Sequence, residues 1–314
     1  MEMKTVHTVN LRGVLSESKR ILKSNYWHFF ALSLFFLPLS LSLVVSPTLH
    51  PQFSGNFYTA DLSHKLPPNY QNVIIFRLLY ILTVYLLALC ATGTISYSTY
   101  RVLIGKPVNY LAALKSLTLS FFPLIATTIL AQILLFFISI TFLLFVGVII
   151  MLGKSLGLVF DFNWTSFMWF SIVIGAMLIL ILIYFQMNWC LTLMVVVAES
   201  KWGFAALSRS WYLVRGIRSV SLSLLLYYSI GYGLLAWVSS RTVYDNQNSV
   251  FFTILGSFFL MMCLLAITTA NAVLYMYGKA FHGELELEIA EGFDYINLSS
   301  DHQKVPLIVT VVEV

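Results

Sequence analysis

Glu199–Gly216 reads ESKWGFAALSRSWYLVRG and forms a polar, basic interruption between two long apolar runs. At helical spacing Phe204, Leu207, Trp211 and Val214 share one narrow face, Arg209 points away from it, and Arg215 lies at the far end with a stem free to snorkel. This pattern predicts a short helix lying in the headgroup plane of a membrane. With Lys201 and Arg218 the region carries four of the chain's 18 Lys and Arg residues. Cations gathered between two apolar runs mark the cytoplasmic side.

Composition around this stretch agrees. The chain has 314 residues, 59% of them hydrophobic and 10% charged, where a soluble globular domain has about a quarter charged. The net charge of +5 comes from basic residues dispersed between apolar runs. It reads as a topology signal, and nucleic-acid binding is excluded from the expected partners. Cys90, Cys190 and Cys263 all fall inside apolar runs without a CxxC pattern, so neither a disulfide framework nor a zinc site is expected.

Apolar runs occur at about 26–46, 78–100, 117–152, 166–198, 219–240 and 250–278. Each meets the ~20 residues a helix needs to cross hydrocarbon. The expected fold class is therefore an all-α membrane protein with six transmembrane helices. Three parts follow: a cytoplasmic amphipathic N-terminal segment (1–25), a transmembrane domain (26–280) and an acidic cytoplasmic tail (281–314). The third and fourth runs exceed the required length and should tilt or project. Pro38 and Pro123 should kink their helices, with neighbouring Ser and Thr hydroxyls meeting the freed carbonyls.

Within 1–25, Leu11, Val14, Leu15, Ser18, Ile21 and Leu22 fall on one arc, with Arg12, Lys19, Arg20 and Lys23 opposite. Asn10 stands in the N-cap position. The segment competes with a mitochondrial presequence in pattern, but its acidic residues and the adjoining span favour a signal-anchor that is kept. An N-terminus inside leaves Lys65, Arg77, Lys154 and Arg241 on the far side and the other fourteen Lys and Arg residues in the cytoplasm. That bias places both termini in the cytoplasm, in a membrane of the secretory pathway, endoplasmic reticulum or plasma membrane. Of two glycosylation sequons, Asn163 abuts the fourth span on the far side and Asn297 is cytoplasmic.

From Gly283 onward, Glu284, Glu286, Glu288, Glu291, Asp294, Asp301 and Glu313 face only Lys304. Alternation at Leu285, Leu287 and Ile289 suits an extended segment, and the acids invite pairing with the basic loops. Tyr295-Ile296-Asn297-Leu298 matches a tyrosine-based sorting signal. Basic segments at 11–23, 109–116 and 202–215 each precede an odd-numbered run. The chain can thus be read as three helical hairpins, each introduced by a cytoplasmic surface helix.

SKRILKSNYWHFFALSLFFLPLSLSL at 18–43, VVVAESKWGFAALSRSWYLVRG at 195–216 and AVLYMYGKAFHGE at 272–284 together resemble a family of plant six-span membrane proteins without an assigned function. Glu199, Ala206, Leu207, Arg209, Ser210, Trp211, Arg215 and Gly216 are also similar to the membrane domain attached to some bacterial glycerophosphodiester phosphodiesterases. The soluble hydrolase of those enzymes has no counterpart here. The resemblance therefore implies a membrane module and transfers no catalytic residue.

Chemistry-bearing motifs point the same way. His7, His28, His50, His64, His282 and His302 are scattered, with no HExxH, HxxxH or DxxD pattern, and no phosphate-binding glycine loop occurs. His28 reads as an interfacial residue. No ionisable residue falls at mid-span, where ion-coupled transport leaves one. Gln132, Gln186, Asn188 and Asn271 are the amides within the runs, and the two glutamines are expected to hydrogen-bond across helices. Glu199, at a membrane boundary, is expected to pair with Arg209 or Arg215. No catalytic, metal or cofactor site is expected, and the chain reads as a non-enzyme. Its expected partners are membrane lipids and a cytoplasmic protein met through the basic loops or the acidic tail. The expected role is a scaffold, trafficking or lipid-sensing module. A facilitative transporter or channel for an uncharged or amphipathic solute is the alternative, and a lipid-modifying enzyme the weaker one.

Overall fold

The computed structural model describes residues 10–44, 70–107, 109–156, 164–245 and 249–284, and among them every regular element is helical. The tail beyond 284, both sequons at Asn163 and Asn297, and Tyr295 lie outside the described residues. In chain order the elements are α1 (Leu11–Ser24), α2 (Tyr26–Ser33), a 3-10 turn (Leu34–Phe36), α3 (37–44), α4 (Tyr70–Leu103) and α5 (Tyr110–Ser155). They continue with α6 (Trp164–Trp189), α7 (Thr192–Glu199), α8 (Phe204–Val214), α9 (Arg218–Asp245) and α10 (Ser249–Phe281).

Among the described residues five stretches are long and apolar enough to cross a membrane: Tyr26–Val44, Ile75–Leu103, Ser120–Gly153, Met168–Glu199 and Thr253–Phe281. The sixth expected run lies in α9, a 28-residue helix that does not enter this count. Helix α4 also begins earlier than its apolar run, so 70–77 is helical where a loop was expected.

Burial is graded along the bundle. At one end the last turns of α4 and α10, the first turns of α5 and α9, and the short helices α1, α7 and α8 close around a core. Ile95, Leu124, Leu191, Val195, Leu213, Leu274 and Tyr275 are fully buried there. Away from that end, Ile75–Leu82, Phe136–Leu152, Met168–Leu180 and Phe251–Phe259 contain large apolar side chains turned outward. Hydrocarbon accommodates such an exterior, whereas water penalises each apolar square ångström.

Five local expectations are corrected. The apolar arc of α1 is turned to protein: Val14, Ser18 and Ile21 are buried, α1 packs on α10, and Gly13 lies beside the Tyr277 hydroxyl. Covering Val14 and Ile21 is worth ~1.5–3 kcal/mol each relative to water, so this stripe is spent on the core and only the basic face is left outside. Asn10 precedes the helix without a side-chain cap. Residues 109–116 form no separate surface helix, because the 46-residue α5 runs through them unbroken from Tyr110.

At Pro38 the carbonyl left without a donor is that of Leu34, four residues earlier. The backbone N–H of Leu37 fills it by tightening the turn to 3-10 geometry, with no hydroxyl needed. Finally, the fourth run is not one helix. It breaks at Cys190–Leu191 between α6 and α7, and there hydroxyls do serve. Ser221 Oγ donates to the Met187 carbonyl at 3.0 Å and Ser210 Oγ to the Asn188 carbonyl at 2.8 Å, two acceptors that a continuous helix would have filled itself.

Candidate functional site

The charged groups of the packed end converge where α7 stops. Ser200 adopts a left-handed conformation (φ 54°), which ends α7 and turns the chain through Gly203 into α8. Gly203 N–H donates to Thr127 Oγ1 on α5 at 2.9 Å, and Thr127 in turn donates to the Pro123 carbonyl at 2.7 Å. The turn is thereby tied to the proline-bearing part of α5.

Glu199, the last residue of α7, accepts from Lys201 Nζ at 2.8 Å, from the Tyr275 hydroxyl at 3.0 Å and, with both carboxylate oxygens sharing one N–H, from Arg209 Nε at 3.1 Å. Arg209, in the second turn of α8, uses the rest of its guanidinium on Glu284: Nη1 donates to Oε1 at 2.9 Å and Nη2 to Oε2. One planar five-donor group thus joins α7, α8 and the chain just beyond α10, as a lysine's point charge could not. The side chains of Glu199 and Arg209 are 11% and 18% exposed, so the pair is largely withdrawn from solvent. The hydrogen bonds from Arg209 hold the Glu284 carboxyl below its usual range, and the same bonds to Glu284 hold the Arg209 guanidinium charged. Arg209 also lies over the Tyr212 ring at 5.4 Å, and Tyr212 packs on His282.

Sequence reasoning pairs Glu199 with Arg209 or Arg215, and the structure selects Arg209; Arg215 is exposed. It misses Tyr275 and Glu284, which lie 76 and 75 residues away in sequence from their partners. The buried arc of α8 is also rotated: Ala206, Leu207, Ser210, Leu213 and Val214 face inward while Phe204 is exposed. The helix is a plug beneath the α6–α7 break and no flat surface float.

Among the amides, Gln132 and Gln186 are exposed, and among the described residues neither makes the expected cross-helix bond. Asn188 is the buried one, its Nδ2 donating to the Tyr184 carbonyl at 2.7 Å. Its Oδ1 and the hydroxyl of Thr192, both beside the break, have no partner. His28 is likewise buried, with Nε2 3.1 Å from Ser98 Oγ and its ring against Tyr110, a packing residue more than an interfacial one. Among the described residues no three His, Cys, Asp or Glu side chains gather as a metal set.

In chemical terms the cluster is closed. Each carboxylate oxygen of Glu199 and Glu284 is aimed at a cation or hydroxyl of the chain itself. Comparison with curated proteins and with solved structures finds no match. The family match covers residues 1–290, which includes the whole helical bundle and the Glu199–Arg209–Glu284 cluster. The chain belongs to the family described as a domain of unknown function, DUF8558.

Proposed function

We propose that the protein is a six-span integral membrane protein without catalysis of its own, whose packed basic end lies in the cytoplasm and acts as a scaffold, trafficking or lipid-sensing module. The sixth span is α9, whose 28 residues reach about 42 Å at 1.5 Å per residue, and which packs along α10. One observation carries the reading. At the packed end Glu17, Glu199 and Glu284 are all paired to cations, while Arg12, Lys19, Lys23, Lys106, Lys115 and Arg215 stay exposed. A face with its acids neutralised and its bases outward suits anionic partners. The test is recovery from native membranes of the wild type and of the R12E/K19E/K23E variant. The variant should lose a bound protein or anionic lipid that the wild type retains; identical associated sets would overturn the docking role.

A facilitative path for a neutral solute is the second reading, favoured by the broken α6–α7 helix with buried unpartnered oxygens on Asn188 and Thr192. Interrupted helices of this kind line solute sites in transporters. Proteoliposome uptake of uncharged solutes that is abolished by Asn188→Leu would establish it in place of the scaffold.

A further inference from the structure

Arg218 opens α9 at the packed end, and among the described residues no group accepts a hydrogen bond from its guanidinium. Its Nε is sealed from solvent without a partner, and its Cζ lies over the Trp211 ring, 5.8 Å from the centroid. Trp211 is held in turn by Tyr184, edge-on at 5.7 Å, and by Phe185 at 6.3 Å. The guanidinium is thus seated on an aromatic platform where α6, α8 and α9 meet. Arg101, near the end of α4, also has a sealed Nε, but it donates Nη1 to the Tyr97 hydroxyl at 3.0 Å. Arg218 has no such outlet. A permanent cation with a donor withdrawn from water is costly until an acceptor meets it, and the stacking has already fixed its orientation.

The surroundings favour an anion, and an anion of one kind. No Asp or Glu occurs between Glu199 and Asp245, and those of the neighbouring cluster are taken by Arg209. The backbone N–H groups of Val220 and Ser221 both donate to the Ile217 carbonyl, at 3.1 and 3.0 Å, which leaves those of Arg218 and Ser219 without an intrahelical acceptor and adds partial positive charge beside the guanidinium. Below it Ser219, Ser223, Leu226, Tyr227, Ile230 and Leu234 are all exposed. Their spacing of three and four places them on one face of α9, polar near the packed end and apolar beyond. From Ser223 to Leu234 that face runs about 16 Å, half of a ~30 Å hydrocarbon core. A basic head over one leaflet's depth of apolar helix matches a phosphate over an acyl chain.

We propose that Arg218 binds the phosphate of an anionic phospholipid in the cytoplasmic leaflet, its guanidinium donating to the phosphate oxygens at the head of α9 while an acyl chain lies along the Ser223–Leu234 face. The inference deepens the lipid-sensing reading above and rests on it for the side of the membrane. The two attractions differ in kind. Exposed cations such as those of α1 draw an anionic surface by summed charge, which salt screens; a stacked, desolvated guanidinium holds one phosphate by direct charge-assisted bonds. A headgroup with a cation of its own, as in phosphatidylcholine, meets uncompensated positive charge here and is disfavoured.

The experiment titrates the full chain, stripped of lipid in non-ionic detergent, with dioctanoyl phosphatidic acid, read by native mass spectrometry and by the thermal midpoint. The wild type should retain one lipid per chain and gain a higher midpoint. Arg218→Gln should bind it about tenfold more weakly, as loss of one charge-assisted pair allows, and Arg218→Lys, which keeps the charge without the planar fork, should lie between. Arg20→Gln removes the same charge from a residue already paired with Glu17 and should leave the affinity unchanged. The fold of each variant is checked by the trypsin resistance of the Glu199–Gly216 region; where Arg218→Gln fails that check, Arg218→Lys decides, and wild-type affinity in it overturns the proposal. An equal loss in Arg20→Gln overturns it as well, because binding is then summed surface charge. So does equal retention of dioctanoyl phosphatidylcholine, or an equal midpoint shift with inorganic phosphate at the same concentration, since a soluble anion is then the occupant. If both Arg218 variants bind like the wild type while R12E/K19E/K23E still loses its partner, the docking role stands and only this site falls.

Discussion

Arg209 is the side chain on which the packed end turns. Replacing it by Ala leaves two partly buried carboxylates, Glu199 and Glu284, without their shared donor, at a cost on the order of 2 kcal/mol for hydrogen bonds to charged groups. Arg209→Lys should recover only part of this, because an ammonium cannot serve two carboxylates in one plane. Thermal unfolding in detergent and trypsin cleavage after Lys201 measure both; wild-type values for R209A would remove the cluster from the fold's supports. The pH dependence has a definite sign. Glu284 is held below its ordinary value by Arg209, so its contribution is fully present above the unfolded carboxylate pKa of ~4.3 and is lost as pH falls through the lower folded value. Trypsin-resistant fold should therefore persist from pH 8 to pH 5 in pulse-neutralised samples and decline only below about pH 4, a decline that Glu284→Gln should flatten. Half of this cluster was legible in the sequence. Glu199 at the end of an apolar run needs a cation, and Arg209 is near in the chain. Tyr275 and Glu284 are brought in by the return of α10, and no local pattern announces that.

At the level of elements, the break between α6 and α7 and the turn between α8 and α9 deserve separate tests. Ser210→Ala and Ser221→Ala each strip a hydroxyl from a buried carbonyl of the break, and each should cost ~1 kcal/mol. Cys190, whose Sγ lies 3.2 Å from Ser221 Oγ, reports the loosening: its maleimide labelling should quicken in the double variant, and unchanged labelling would show that the hydroxyls do not support the break. Gly216 has φ 122°, a conformation L side chains rarely adopt, and Phe281 fills the space where a Cβ would go. Gly216→Ala should destabilise the protein by ~1–3 kcal/mol, read as a lower midpoint in thermal unfolding. Helices α1 and α8 were legible from their periodicity, yet the faces they bury were read toward lipid. Periodicity tells which residues share a side; it does not tell whether that side meets acyl chains or, as Val14, Ile21, Leu213 and Val214 do, another helix. The α6–α7 break carries no Pro or Gly and left no sign in composition.

For the whole molecule, topology is the expectation with the sharpest outcome. Gly105, exposed with open space around it in the α4–α5 turn, should react as Gly105→Cys with an impermeant reagent only from the cytoplasmic side. Asn246→Cys, in the α9–α10 connection, should react only from the other side if α9 spans. Labelling of both from one side would reduce the spans to five and carry one terminus across the membrane. The bias of fourteen of 18 cations to one side of a six-span reading was legible in the sequence. The packing gradient was not, because an apolar run looks the same whether it faces lipid or a neighbour.

The seat of α1 on α10 has a further consequence, for biogenesis. Leu11–Ser24 leaves the ribosome tens of seconds before Ser249–Phe281 at the ~5–20 residues per second of synthesis. Its apolar stripe therefore waits, uncovered, through the insertion of every span between them. The first helix made is among the last to find its place, and loop closure across nearly the whole chain must precede that contact. A pulse-chase experiment should find 11–24 protease-sensitive until α10 is released, then abruptly protected. Release of the C-terminal helix, more than the insertion of any single span, is the step that completes this fold.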